Sequence, residues 1–169
     1  MAGIPRRGLI AAGAGGLAVQ AANAAGPPMV PTQDLAKDSD VACVYHCDFG
    51  DVRRFSQMLD NIRNHLEAYR FDTLAFHISI VAHAAGIRFF LADLAGTPWA
   101  ADPIDPDISA RMAALGKYGV LGLLCATTFA KNGLSHDRAR AEPWLRMVPS
   151  GVAAVGALQA KGYGYMKIG

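Results

Sequence analysis

An apolar run of strand length ends abruptly at a cysteine in the stretch Tyr118-Gly-Val-Leu-Gly-Leu-Leu-Cys125-Ala-Thr-Thr128. An uninterrupted apolar run suits a strand that is covered on both faces, as the strands of parallel sheets are. In open α/β sheets, ligands and catalytic groups lie just beyond the carboxyl ends of such strands. The sequence therefore predicts a sheet that presents the Cys125 thiol at its carboxyl edge.

Four further strand-like segments alternate with helical ones along the chain. The additional strands are predicted at residues 41–47, 73–83, 145–148 and 163–168. Helices are predicted at residues 52–69, 84–94, 107–115, 127–131 and 149–161 from apolar spacing and capping residues, with Asp51 and Asp107 as two of the caps. Such alternation predicts an α/β fold with a mainly parallel five-stranded sheet, right-handed crossovers and helices covering it.

The first 24 residues have the pattern of an export signal. Arg6 and Arg7 precede an uncharged stretch that leads into Ala22-Asn23-Ala24, an A-x-A cleavage pattern. The paired arginines, followed by Gly8, resemble a twin-arginine signal, and an ordinary secretory signal is the alternative. Either route predicts a periplasmic or extracellular protein. A retained anchor is disfavoured by the glycines that interrupt the segment, although an uncleaved signal stays open.

Length and charge restrict the classes of partner. The 169 residues, 52% of them hydrophobic, make one domain with a substantial core. Without Arg6 and Arg7, fourteen of the 16 Lys and Arg residues remain, which balances the 14 Asp and Glu residues. A neutral mature chain argues against nucleic acid or an anionic membrane as the main partner, unless the signal is retained as an anchor.

The segment between the signal and the first strand, residues 25–40, contains Pro27, Pro28 and Pro31 and has no apolar periodicity. It is predicted to be a flexible arm, whose order would imply contact with a neighbour. The α/β domain is then expected over residues 41–169.

The mature chain contains three cysteines, Cys43, Cys47 and Cys125. An odd number in an oxidising compartment leaves at least one without an intrachain partner. Cys43 and Cys47 cannot be bridged on one strand, because four residues at the rise of a strand separate them by ~13 Å. A bridge between Cys47 and Cys125 stays open.

The ends of the long predicted strands carry His46, Cys47, His83 and Cys125, which are groups that transfer protons or bind metals. A reactive thiol must be a thiolate, which a nearby helix N-terminus favours. The helix that begins after Cys125 is expected to direct N–H groups, including those of Thr127 and Thr128, at an anionic sulfur species. No C-x-x-C pair, P-loop or nucleophile elbow is present.

Taken in order, these segments resemble the DsrE/DsrF-like family of sulfur-relay proteins from about Val41 to Ile168. The matching pieces are Tyr45-His46 with Asp48, residues 59–66 (Leu-Asp-Asn-Ile-Arg-Asn-His-Leu), Val81-Ala-His83 with Gly86, Gly119-Val with Cys125 and Thr128, Val148-Pro-Ser-Gly151-Val, and Gln159 with Gly162-Tyr-Gly-Tyr165. The resemblance implies a three-layer flavodoxin-like fold, homo-oligomers that are trimers or hexamers, and a family cysteine at Cys125 that holds a persulfide in sulfur carriers. The family's carriers work in the cytoplasm, whereas this chain carries an export pattern.

The leading hypothesis is a periplasmic thiol protein in which Cys125 holds sulfane sulfur, and His46 and His83 handle protons or orient the sulfur. It predicts sulfur-containing small molecules or sulfur-carrier proteins as partners, and a carrier more than a turnover enzyme. An alternative is a copper or zinc protein with Cys47, Cys125 and His83 as ligands, since soft thiolates favour Cu(I) or Zn. A second alternative is an oligomeric structural or docking subunit of a larger complex, with Cys125 buried in apolar contacts.

Overall fold

The computed structural model describes residues 25–169, and the export signal predicted at residues 1–24 lies outside them. Five strands form one sheet in the order β4-β3-β2-β1-β5, with every neighbouring pair parallel. The strands are β1 (Val41–Cys47), β2 (Phe76–Ala82), β3 (Leu121–Cys125), β4 (Leu145–Val148) and β5 (Gly164–Met166). The sheet predicted from the sequence is therefore confirmed and is entirely parallel.

Helices cover both faces of this sheet. They are α1 (Val52–Ala68), α2 (Pro106–Leu115), α3 (Ala126–Lys131) and α4 (Gly151–Ala160), with short 3-10 helices at Thr32–Asp34, Ala84–Phe90, Gly116–Tyr118 and His136–Arg138. Buried residues of α1 and α2 share one core cluster, and those of α4 belong to a second cluster on the opposite face. The result is the three-layer, flavodoxin-like α/β arrangement that was expected.

The alternation of side chains along each strand assigns the functional candidates to faces. Cys43, Tyr45 and Cys47 of β1 belong to the cluster on the α1 side, whereas Val44 belongs to the α4 side. His46 is two residues beyond Val44 and therefore shares the α4 face. This parity separates His46 from its neighbour Cys47.

Element boundaries differ from the sequence prediction where local capping decides them. Asp51 caps α1 as predicted, accepting a hydrogen bond from the Arg54 N–H at 2.7 Å. The cap of α2 is Asp105 and not Asp107, because Pro106 occupies the first helical position and Asp105 accepts from the Asp107 N–H. The second strand begins three residues later than predicted, at Phe76.

The segment over residues 25–40 lies against its own domain. Val30 donates to the Met147 carbonyl and Met147 donates to that of Pro28, so the segment runs beside edge strand β4. Leu35 is buried in the cluster under α4, and the Lys161 ammonium donates to the Gln33 carbonyl at 2.9 Å. The contacts of this segment with the described chain therefore close one edge of the sheet and one side of α4.

Within residues 25–169, no helix combines the length and apolar character that a bilayer span requires.

Candidate functional site

The candidate site lies at the carboxyl edge of the sheet on its α4 face. Cys125 is the last residue of β3 and the N-cap residue of α3, so its sulfur lies where strand becomes helix. The register pairs Ala82 of β2 with Leu124, which places His83, the next residue, beside Cys125. The crossover from β4 then brings Gly151, the first residue of α4, over the same point.

Polar donors surround the sulfur. The Thr128 hydroxyl and the backbone N–H groups of Gly151, Thr128 and Thr127 all face Cys125. The Thr128 oxygen accepts a hydrogen bond from the Ala84 N–H at 3.1 Å, which leaves its own hydrogen to point at the sulfur. The turn after β2 thereby orients a donor that belongs to α3.

These donors determine the protonation state of the thiol. Burial raises the pKa of Cys125, whose residue is only 5% exposed, but the donors outweigh burial and leave the pKa below its ordinary value. The Thr128 hydroxyl makes the largest favourable contribution and the Gly151 N–H follows. Because the thiolate is the nucleophilic form of cysteine, the site favours the reactive state.

Thr127 and Thr128, both predicted to hold an anionic group, contribute in different ways. Thr128 presents its hydroxyl and its N–H to Cys125. The Thr127 hydroxyl instead donates to the Pro149 carbonyl at 2.9 Å, and the Thr127 N–H donates to the same carbonyl at 3.3 Å. Its N–H makes the smallest of the contributions that lower the pKa of Cys125. Thr127 therefore ties α3 to the segment that leads into α4.

Gly151 is required by close packing at this point. A Cβ atom added at Gly151 would lie 2.9 Å from the His83 Cβ and 3.2 Å from the Cys125 Cβ. Only a residue without a side chain allows the α4 N-terminus to approach both groups. The same distances show that the His83 and Cys125 side chains are immediate neighbours.

The structure brings together His46 and His83, which lie at the ends of β1 and β2. Their Nε2 atoms are 2.6 Å apart, and the two rings are tilted by 39°. The His46 Nδ1 lies 2.8 Å from the hydroxyl of Tyr165 on β5. A continuous line of hydrogen-bonding groups thus runs from β5 across β1 to β2, beside Cys125.

Burial and the neighbouring His46 favour the neutral form of His83. Burial lowers the pKa of His83 first, and the adjacent His46 lowers it further, while the Asp48 carboxylate partly opposes both effects. At neutral pH this imidazole is therefore available both to give and to accept a proton.

Cys47 does not join the site. It is completely buried on the α1 face, where its sulfur packs against Gly86. Burial raises the pKa of Cys47 far above its ordinary value, and Asp48 raises it further. All three cysteines are free thiols, so the bridge to Cys125 that the sequence left open is not formed.

The predicted metal site with Cys47, Cys125 and His83 as ligands does not match this arrangement. Strand alternation sends Cys47 to one face of the sheet, while His83 and Cys125 share the other face. No group of three His, Cys, Asp or Glu side chains suited to a metal ion occurs within the described part of the chain.

Sequence reasoning gave no role to Tyr165 or Gly151. Tyr165 lies on a three-residue strand whose partner, β1, is more than 110 residues away in the chain, so only the strand order places it beside His46. The Pro149-Ser150-Gly151 sequence was a usable signal for Gly151, because Ser150 caps α4 and the following position directs an N–H at whatever precedes the helix.

Comparison with known proteins agrees with this fold. A family model described as the DsrE/DsrF-like family matches residues 53–168. A solved structure of a protein of unknown function from Methanobacterium thermoautotrophicum is similar in fold, with a TM-score of 0.61 and 23% identity over 76% of this chain and 99% of the other. No curated protein is similar enough to this chain to count as a match. The matched segment contains His83, Cys125, Gly151 and Tyr165, and the chain belongs to the DsrE/DsrF-like family.

Proposed function

We propose that Cys125 accepts sulfane sulfur, holds it as a persulfide and passes it on. Membership of a family with a sulfur-relay theme supports a role of this class. The observation that carries the proposal is the set of donors around Cys125, which lowers the pKa of a nearly buried thiol. A structural or docking subunit, in which Cys125 is only a buried apolar residue, does not require such donors.

The chemistry of loading follows from the thiolate. The Cys125 thiolate attacks the outer sulfur of a donor R–S–SH, the S–S bond of the donor breaks, and R–S⁻ leaves. Cys125 is oxidised to the persulfide level and the R–S sulfur is reduced to a thiolate. The N–H groups of Gly151 and Thr128 that stabilise the thiolate also suit an anionic persulfide.

The reverse reaction unloads the site. A thiolate of an acceptor attacks the outer sulfur of the Cys125 persulfide, and Cys125 leaves as the thiolate that its donors stabilise. A low pKa makes Cys125 a good leaving group as well as an available nucleophile. Loading and unloading by the same exchange is what a carrier requires.

The setting of this reaction is proposed from the sequence. The export pattern at residues 1–24 supports a periplasmic location, with small sulfur compounds or sulfur-carrier proteins as donors and acceptors. A homo-oligomer, trimeric or hexameric, is what the family resemblance implies. Light scattering of the purified mature chain tests the oligomer, and fractionation of the producing cells tests the location.

Mass spectrometry after treatment with inorganic polysulfide tests the central proposal. We expect the Cys125 peptide to gain the mass of one or more sulfur atoms, and a thiol acceptor to remove them. Cys43→Ser is the matched control, because Cys43 lies on the opposite core and should leave loading unchanged. A Cys125 that reacts with iodoacetamide yet gains no sulfur would overturn the proposal.

A further inference from the structure

A chain of short contacts connects solvent with the sulfur site. Tyr165, 41% exposed, begins it, with its hydroxyl 2.8 Å from the His46 Nδ1. The His46 Nε2 then lies 2.6 Å from the His83 Nε2. His83 ends the chain beside Cys125, and its Nδ1 has no hydrogen-bond partner among residues 25–169. Because Nε2 faces His46, Nδ1 is the ring nitrogen of His83 that remains available to a substrate on Cys125.

The number of protons that the two imidazoles share determines the direction of the hydrogen bonds among Tyr165, His46 and His83. Two Nε2 atoms at 2.6 Å share one proton, because two N–H groups would clash and two lone pairs would repel. If His46 donates, His83 carries its other proton on Nδ1 and Tyr165 donates to His46. If His83 donates, every bond reverses and His83 Nδ1 is an acceptor. The two hydrogen-bond directions are therefore a proton-donating and a proton-accepting state of the same three groups.

The surroundings keep both states accessible. The titratable groups that face His83 are His46 from β1, Asp48 from the loop after β1, Cys125 from β3 and, through His46, Tyr165 from β5. Among these groups, Asp48 and the Cys125 thiolate carry formal charges. Asp48 raises the pKa of His83, but burial and His46 lower it by more. A neutral His83 therefore passes a proton on without storing a charge.

Building on the proposed function, we propose that Tyr165, His46 and His83 form a proton relay between solvent and the sulfur species at Cys125. During loading, the departing R–S⁻ takes the proton from His83 Nδ1 and becomes R–SH. His83 Nε2 takes the proton from His46, His46 Nδ1 takes one from Tyr165, and Tyr165 is reprotonated by water. In sum, Cys125–S⁻, R–S–SH and one proton give Cys125–S–SH and R–SH.

The relay names the class of donor that the site suits. Leaving thiolates of low pKa depart without protonation, whereas alkyl thiolates are basic and depart faster when an acid protonates them. The relay therefore benefits alkyl hydropersulfides, such as cysteine hydropersulfide, and contributes little with inorganic polysulfide. His83 is the catalytic residue in this scheme, and His46 and Tyr165 act through it.

The test compares loading rates of Cys125 from these two donors in variants of the relay. With cysteine hydropersulfide we expect roughly 10-fold slower loading in His46→Gln and a several-fold loss in Tyr165→Phe, below the ~10²–10⁴-fold of a complete general acid. With inorganic polysulfide both variants should load within about twofold of the unsubstituted chain. His46→Gln should also change the pH dependence of the loading rate and the ratio of the loading rates in H₂O and D₂O.

Matched controls separate chemistry from structure. Tyr163→Phe removes a hydroxyl that donates to the Ala36 carbonyl, away from the relay, and His77→Gln alters a histidine at the other end of β2. Both controls should load normally from both donors. Tyr165→Phe keeps its ring at an exposed position, so it remains a valid test if His46→Gln fails to fold.

The outcomes distinguish the two proposals. If Tyr165→Phe and His46→Gln load at the unsubstituted rate from both donors, the relay is overturned and the carrier function stays intact. The same conclusion holds if both donors are slowed equally. Absence of any Cys125 adduct in the unsubstituted chain with either donor would overturn the carrier function itself.

Discussion

Replacing Thr128 by valine tests the origin of the Cys125 thiolate with little change in shape. Thr128 is buried, and its hydroxyl accepts from the Ala84 N–H while it faces the sulfur as a donor. Valine keeps the branched side chain and removes both interactions. The substitution therefore removes the largest contribution that favours the thiolate.

The size of the effect follows from the interactions lost. A hydrogen bond to a charged group is worth about 1.5–3 kcal/mol, and about 1.4 kcal/mol is a tenfold change in the thiolate population. Nucleophilicity rises with basicity at a Brønsted slope of about 0.4–0.5, which offsets part of the loss. For each tenfold loss of thiolate we expect alkylation at low pH to slow roughly three- to fourfold, and the plateau at high pH to rise roughly threefold.

The assay is iodoacetamide alkylation of the Cys125 peptide, followed by mass spectrometry from acid to alkaline pH. Because its pKa is lowered in the folded protein, Cys125 reacts as a thiolate above that pKa and loses reactivity as the pH falls through it. In Thr128→Val the loss should begin at higher pH, so the two rate curves should cross. Thr128→Ser, which keeps the hydroxyl, should restore the original curve.

Thr127→Val is the control within the same turn, since the Thr127 hydroxyl donates to Pro149 and not to the sulfur. Its alkylation curve should match that of the unsubstituted chain. Unfolding by urea should also show a cost of about 1–3 kcal/mol in Thr128→Val, because the Ala84 N–H loses its acceptor. Superimposable alkylation curves for Thr128→Val and the unsubstituted chain would refute the reasoning.

Two further predictions concern packing, one beside Cys125 and one in the core on the opposite face of the sheet. Gly151→Ala should slow sulfur loading and lower the free energy of unfolding by about 1–3 kcal/mol, because the new Cβ would press on His83 and Cys125. Gly156→Ala in the same helix meets nothing within 4 Å and should stabilise the protein by roughly 0.5–1 kcal/mol, and equal effects of the two would contradict the packing argument. Cys47→Ala should lower the free energy of unfolding by about 1–2 kcal/mol and leave loading unchanged, and a loss of loading in a folded variant would place Cys47 in the chemistry.

Much of the sheet was predictable because buried parallel strands have a strong sequence pattern. The segments 41–47 and 145–148 were predicted with the bounds that the structure shows. The start of β2 was placed too early, because Asp72 accepts hydrogen bonds from the Leu74 and Ala75 N–H groups and holds these residues in a turn. Local side-chain to backbone bonds of this kind compete with strand formation and leave little trace in apolar patterning.

The sequence by itself determined that Cys125 ends a buried strand at the start of a helix, and that His46 and His83 lie at the ends of two other strands of the same sheet. It did so because parallel strands all present their carboxyl ends at one edge. Only the tertiary structure decided which face each group occupies, since register and strand order combine residues far apart in the chain. In the tertiary structure, Cys47 lies in the core on the opposite face of the sheet, Tyr165 contacts His46, and Gly151 packs against Cys125.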